Sequence, residues 1–195
     1  MTRIFKPTKA DAWTKFAKEI GGEYVDGGPT ENDILKVTYK KWTILLYTDR
    51  RSENYTVTIM KVSFLHKKKL KLHISAKGYL SKLLGINGIS IGNKSFEKEY
   101  ILKSNSIDSI MKLIESKELM RLLMQNPYIK LKTIIGRNGW FGLSYPPEIS
   151  VIHLEYPGEV LERAVLRDLS KLFSVLLDRL VEIDAAHEKN PNFTL

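Results

Sequence analysis

Apolar side chains recur at helical spacing at Trp13, Phe16, Ala17 and Ile20, between Pro7-Thr8 and the pair Gly21-Gly22. The pattern predicts an amphipathic helix that docks through Ala12, Trp13 and Phe16 and ends in a left-handed glycine cap. A polar loop rich in turn formers follows at residues 26–33, and the period then drops to two. Leu35, Val37 and Tyr39 alternate with Lys36, Thr38 and Lys40, the signature of a half-buried strand. Residues 42–47 are apolar on both faces and read as a central strand. Across residues 55–65 the apolar phase switches, from Tyr55, Val57 and Ile59 to Met60, Val62 and Phe64. A β-bulge at Ile59-Met60 would restore the register. Leu70, Leu72 and Ile74 form a fourth strand, with Lys71, His73 and Ser75 on its other face. Short connections make an antiparallel meander the economical order for these four strands.

Residues 79–84 read as a short helix ended by Gly85, and residues 89–91 and 95–103 as strands on either side of Gly92-Asn93. Ser106 is placed to cap a helix over 107–115, with Ile110, Met111 and Ile114 on one side. A second helix over 118–125 buries Leu119, Leu122 and Leu123 before Pro127. Alternation returns at 129–135 and 149–156, with Trp140-Phe-Gly-Leu between them. From Gly158 to Glu188, apolar residues fall at Leu161, Val165, Leu169, Leu172, Leu176, Leu180 and Ile183, and Phe173 and Leu177 widen the stripe. This spacing predicts a helix of about 30 residues, on the order of 45 Å long. It either spans the sheet or projects beyond it, and a projecting stripe would recruit a second copy of the chain. The elements together predict one α+β domain over residues 1–195: an antiparallel sheet covered by helices, with a long C-terminal amphipathic helix.

With 195 residues, 43% of them apolar, the chain has the size and composition of a folded domain. It contains no cysteine, which excludes disulfides, thiolate zinc sites and cysteine nucleophiles. No apolar run approaches the ~18 residues of a membrane span, and residues 1–9 lack the apolar core of a signal peptide. The expectation is a soluble cytoplasmic protein with no membrane attachment. The formal net charge is +9, and the excess is concentrated in residues 61–103, where ten Lys and no Arg face only Glu97 and Glu99. Such a field attracts nucleic acid or an acidic partner in a salt-dependent way. The absence of guanidinium, the better bidentate reader of phosphate, points instead to solubilising charge.

Chemistry is sparse. The glycine-rich run from Gly85 to Ser95 fails as a phosphate loop, because Asn93 separates Gly92 from Lys94 and a strand is expected to follow. His66, His73, His153 and His187 are isolated in sequence, without the paired spacing of a helical zinc site. His153 alternates with Val151 and Glu155 and reads as a hydrogen-bonded residue of a sheet face. Glu97 and Glu99 read as solvated cross-strand partners of Lys98 and Lys103, and Asp178, Glu182 and Glu188 as the polar side of the last helix. No set of residues is nominated for catalysis, and no cofactor or metal is expected. The candidate anion- or partner-binding residues are Lys67, Lys68, Lys69, Lys71 and His73 in the basic stretch, with Arg50 and Arg51 in the hairpin loop 49–54.

The stretch Ile89-Ser-Ile-Gly92-Asn-Lys-Ser-Phe96-Glu97-Lys-Glu-Tyr100-Ile-Leu-Lys103-Ser-Asn105 resembles a motif of an uncharacterised family of bacterial proteins, a domain of unknown function. That motif runs I-x-I-G-x-x-x-F-[DE]-x-x-[FY]-x-[IL]-K-[SG]-N. The resemblance extends to Trp13-x-x-Phe16-Ala17 with Gly21-Gly22, to Tyr39-Lys-x-Trp42-x-Ile44, to the helix and turn expected over residues 80–85, to Trp140-Phe-Gly and to the long C-terminal helix. It implies a compact α+β fold and supplies no catalytic residues, since the family carries no assigned activity.

Three functional expectations follow. The first is a non-enzymatic protein-interaction domain that uses the basic surface or the last helix, with a protein partner or a second copy. The alternative is nucleic-acid binding by a Lys-rich hairpin over 62–74, with Lys67, Lys68, Lys69 and Lys71 on phosphates and Tyr55 or Phe64 stacking. The third is an enzyme of unknown reaction, which would need a pocket of convergent polar groups.

Overall fold

The computed structural model describes residues 8–29, 31–78, 84–85, 87–136, 145–193 and 195. Helix α1, Lys9–Ile20, opens on a capping box between Thr8 and Asp11 and closes on Gly21 at φ +67°, as its sequence requires. Trp13 and Phe16 are fully buried from it. Strands β1 (Glu23–Val25), β2 (Ile34–Tyr39), β3 (Trp42–Ser52) and β4 (Tyr55–Leu65) follow as an antiparallel meander. The chain then crosses to β5 (Leu72–Ala76), helix α2 (Lys94–Glu99) and β6 (Tyr100–Ser104). Helices α3 (Ile107–Ile114) and α4 (Lys117–Gln125) lead into the hairpin of β7 (Lys130–Ile135) and β8 (Ile149–Pro157), and α5 (Arg163–Glu182) comes last.

Among the described residues eight strands join one sheet in the order β1-β2-β3-β4-β8-β7-β5-β6, every neighbouring pair antiparallel. The strand over 70–74 therefore does not continue the meander. β8 and β7 separate it from β4, and the expected hairpin over 62–74 does not form. β8 is buried along six consecutive residues from Ile149 to Leu154, and so dry a strand belongs at the centre. The connection from β4 passes beneath the end of α5 instead, where the Lys67 N–H donates to the Ala185 carbonyl at 2.9 Å and His66 bridges Ala186.

Three further expectations are corrected. β4 runs without a bulge at Ile59-Met60; the register shift falls between Arg50 and Ser52 of β3. The change of apolar phase reflects burial on both faces, Met60, Val62 and Phe64 on one and Val57 and Ile59 on the other. Residues 95–103 are not a single strand but α2 followed by β6, and residues 89–91 run beside β6 without being a strand. The last helix has 20 residues, about 30 Å, because residues 158–162 are not helical and Asp184 turns left-handed at φ +57°. It spans the sheet without projecting, and Leu166, Leu169, Leu172, Phe173, Leu176, Leu177 and Leu180 are buried in the chain's own core, so the Leu stripe offers no seam to a second copy. The helix read over 79–84, Leu84 apart, and Trp140-Phe-Gly-Leu lie outside the described residues.

Each of the described helices contributes to the main core, which takes the even-numbered positions of β3, β4, β5, β6 and β8 and the odd-numbered ones of β2 and β7. The opposite face of the sheet carries a small second cluster, Tyr145, Ile149 and Val151, with Phe193 and Leu195 packed against it. The remainder of that face is where the polar side chains collect.

Candidate functional site

The sheet register places six side chains of the helix-free face in one line across the strands. Lys103 of β6 pairs with His73 of β5, and His73 with Lys132 of β7. Lys132 pairs with His153 of β8, His153 with Lys61 of β4, and Lys61 with Leu45 of β3. The order Lys-His-Lys-His-Lys sets successive lysines two strands apart, roughly 10 Å. The neighbouring line on the same face reads Ile101, Ser75, Lys130, Glu155, Ile59, Tyr47. Lys103, His73 and Lys130 are exposed, and Lys132 and Lys61 are half-buried, as expected of long stems lying along an apolar sheet. Among the described residues, Lys61, Lys103, Lys130 and Lys132 have no carboxylate partner within ion-pair distance.

The two histidines are held neutral at pH 7. Partial desolvation of the ring against the sheet, then Lys103, Lys132 and Lys130, hold the His73 imidazole below its ordinary value. His153 is 7% exposed, and its burial, which outweighs a hydrogen bond to Glu155, pushes it down to about 4. Its Nε2 lies 3.2 Å from Glu155 Oε1, and its Nδ1 is buried without a partner. Burial raises the Glu155 carboxyl, but His153 and Arg51 outweigh it and hold the group below its ordinary value. Neutral rings thus separate the charged lysines and moderate a repulsion that directly opposed like charges would impose.

At the Leu45 end of the line a hollow of about 620 Å³ opens, lined by Pro29, Ile34, Leu45, Tyr47, Lys61 and Leu195 among others. The Lys61 ammonium sits over the Tyr47 ring, 5.1 Å from its centroid. Beside the line, where β5 begins and β7 ends, Lys69 and Lys71 border a second hollow with Asn105, Gly136 and Tyr145. Asn105 clamps that loop, accepting from the Lys71 N–H at 2.7 Å and donating to the Lys69 carbonyl at 2.8 Å.

The structure divides the candidate residues. His73 lies in the line, and Lys69 and Lys71 lie beside it, just before β5 begins. Lys67 and Lys68 turn to Asp184, at 2.6 and 3.9 Å. Arg50 donates to the Glu53 carbonyl at 3.2 Å, and Arg51 is held by Asp49 and Glu155. Phe64 is 3% exposed in the main core and has no face to stack with, whereas Tyr55 is 47% exposed at the β3–β4 hairpin. Lys130 and Lys132 lie outside the basic stretch and were missed. Their signal was the alternation of β7, which becomes informative only when the strand order is known.

The other readings resolve into structural roles. The Glu97 carboxylate accepts from the Ile91 and Gly92 N–H groups, at 2.7 and 2.9 Å, and from the Ser90 hydroxyl at 2.9 Å. The glycine-rich loop thus encloses a carboxylate of its own chain, and Glu97 is not a cross-strand partner. Asp178 accepts from the Tyr39 hydroxyl at 2.6 Å and pairs with Lys40, which also meets Glu188. These bonds pin the β2–β3 turn to α5. Among the described residues no group of three or more His, Asp or Glu is placed to hold a metal ion, and no helix is long and apolar enough to cross a membrane. No family model, curated protein or solved structure matches the chain.

Proposed function

We propose that the helix-free face of the sheet binds nucleic acid through its phosphate backbone. The observation that carries this reading is the single file Lys103, His73, Lys132, His153, Lys61, in which a lysine recurs on every second strand, a neutral imidazole stands between each two, and no carboxylate takes a place in the row. A sheet face that serves solubility alone is more stable when opposite charges face each other across strands. At the sheet's edge this chain does pair them, Lys36 of β2 with Glu23 of β1. A phosphodiester chain laid on the file supplies the missing anions and releases its counterions. Of the three expectations, the geometry favours the nucleic-acid one, on a different set of lysines from the one the sequence suggests. Ammonium groups without guanidinium suit backbone binding that does not read base sequence.

The test is fluorescence anisotropy of a labelled oligonucleotide over a salt series. With three or four lysines engaged, log K should fall with log salt with a slope of roughly −2 to −3 for a single strand. Lys132→Glu should weaken binding by about tenfold or more and flatten that slope, whereas Lys68→Glu should change little. Absence of binding at low salt, or equal effects of the two substitutions, would overturn the reading.

A further inference from the structure

We infer that the nucleic acid taken by this face is single-stranded, its backbone crossing the β-strands along the file from Lys103 to Lys61 and one unpaired base lodging beside Tyr47. This rests on the nucleic-acid reading above and adds the form of the ligand. Adjacent strands of a sheet are rotated by about 20–25°, so the side-chain direction turns about the file by roughly 80–100° over its four steps. The ammonium groups at the two ends therefore face different ways. A duplex is stiff over about 150 base pairs and meets such a surface only near its middle, whereas a single strand can wind with it.

The flanking line argues the same way. Beside Lys130 it offers Glu155, Ile59 and Tyr47, so a second phosphate backbone would meet a carboxylate and apolar groups. The hollow at the Leu45 end sets Pro29, Ile34, Leu45 and Tyr47 beside Glu31 and Asn32, so it offers a base an apolar wall for its face and polar groups for its edge, and has nothing to receive from bases sealed in a duplex. When Lys61 moves from the Tyr47 ring to a phosphate, that ring is freed to stack. The file spans roughly 19 Å, about six nucleotides at the 3.4 Å rise of a stacked strand.

One labelled strand, the same strand annealed to its complement, and the same strand carrying abasic sites distinguish the outcomes. The single strand should bind at least about tenfold more tightly than the duplex, a preference worth roughly 1.4 kcal/mol. The abasic strand, with its phosphates intact, should bind the wild-type protein several-fold more weakly than the normal strand. Tyr47→Leu should erase that difference. Lys61→Ala and Lys103→Ala should each reduce the single-strand salt slope by about 0.7, showing both ends engaged at once. If no strand binds, the nucleic-acid reading itself fails. If duplex binds as tightly as single strand, or the abasic strand as tightly as the normal one, that reading stands and this inference is wrong.

Discussion

His153 sits in the middle of the cationic file with one ring nitrogen on Glu155 and the other buried without a partner. Its imidazole is pushed down to about 4 in the fold, against about 6.5 in an unfolded chain. The unfolded state therefore takes up the proton first. The stability this residue contributes is complete above about pH 6.5, drains away as the pH falls and is lost near pH 4, a total on the order of 3 kcal/mol. Urea midpoints between pH 7.5 and 4.5 should fall steeply in the wild-type protein and markedly less in His153→Leu; equal slopes would contradict the assignment. His73 acts in the opposite sense on binding. Its proton is disfavoured by partial desolvation and by Lys103, Lys132 and Lys130, and a polyanion laid across those lysines removes part of that repulsion. Affinity should therefore rise as the pH falls below about 6.5, the ordinary value for the group, and His73→Gln should remove that rise.

At the scale of elements, the caps, strand alternations and helix faces were legible, because each is written in residues close in sequence. Ser106 caps its helix and Gly21 closes α1 where the sequence places them, and β2, β7 and β8 fall within a residue or two of their alternating runs. α2 escaped notice for a physical reason. Phe96 and Tyr100 are both buried and their rings stack 4.8 Å apart, a contact that a four-residue separation makes either along a helix or across its end. The turn before it depends on a close approach: a Cβ on Gly88 would lie 2.4 Å from the Leu102 carbonyl oxygen, on backbone that cannot retreat. Gly88→Ala should therefore cost about 1–3 kcal/mol, read as a lower urea midpoint with an unchanged m-value. A substitution that leaves the midpoint in place would show that this segment does not depend on β6. The functional face was illegible for a different reason. Its lysines come from β4, β6 and β7, and only the insertion of β8 and β7 between β4 and β5 aligns them. That insertion is decided by competition among distant strands for the driest place, which no local pattern records.

For the whole molecule, the cationic file sets stability against binding. Lys132 stands between His73 and His153 in the register, with Lys61 and Lys103 two strands away on either side. Replacing it with glutamine keeps most of the stem that covers the sheet and removes the central charge. The free Lys132→Gln protein should be more stable than wild type by up to about 0.5 kcal/mol at low salt, since the file's other lysines stand roughly 10 Å away and Glu155 offsets part of their repulsion, a gain of about 1–2 °C in Tm for a chain of this length. Raising the salt should shrink that gain, since screening weakens the repulsion in the wild type. Adding a single-stranded oligonucleotide should reverse the order. Ligand at about a hundred times its Kd stabilises the folded state by about 2.7 kcal/mol, and the wild type, binding more tightly, reaches that level first. Thermal melts of the two proteins with and without the strand would then cross. A variant that is less stable when free would show the lysine to be structural, and melts that fail to cross would mean that its charge does not serve the ligand.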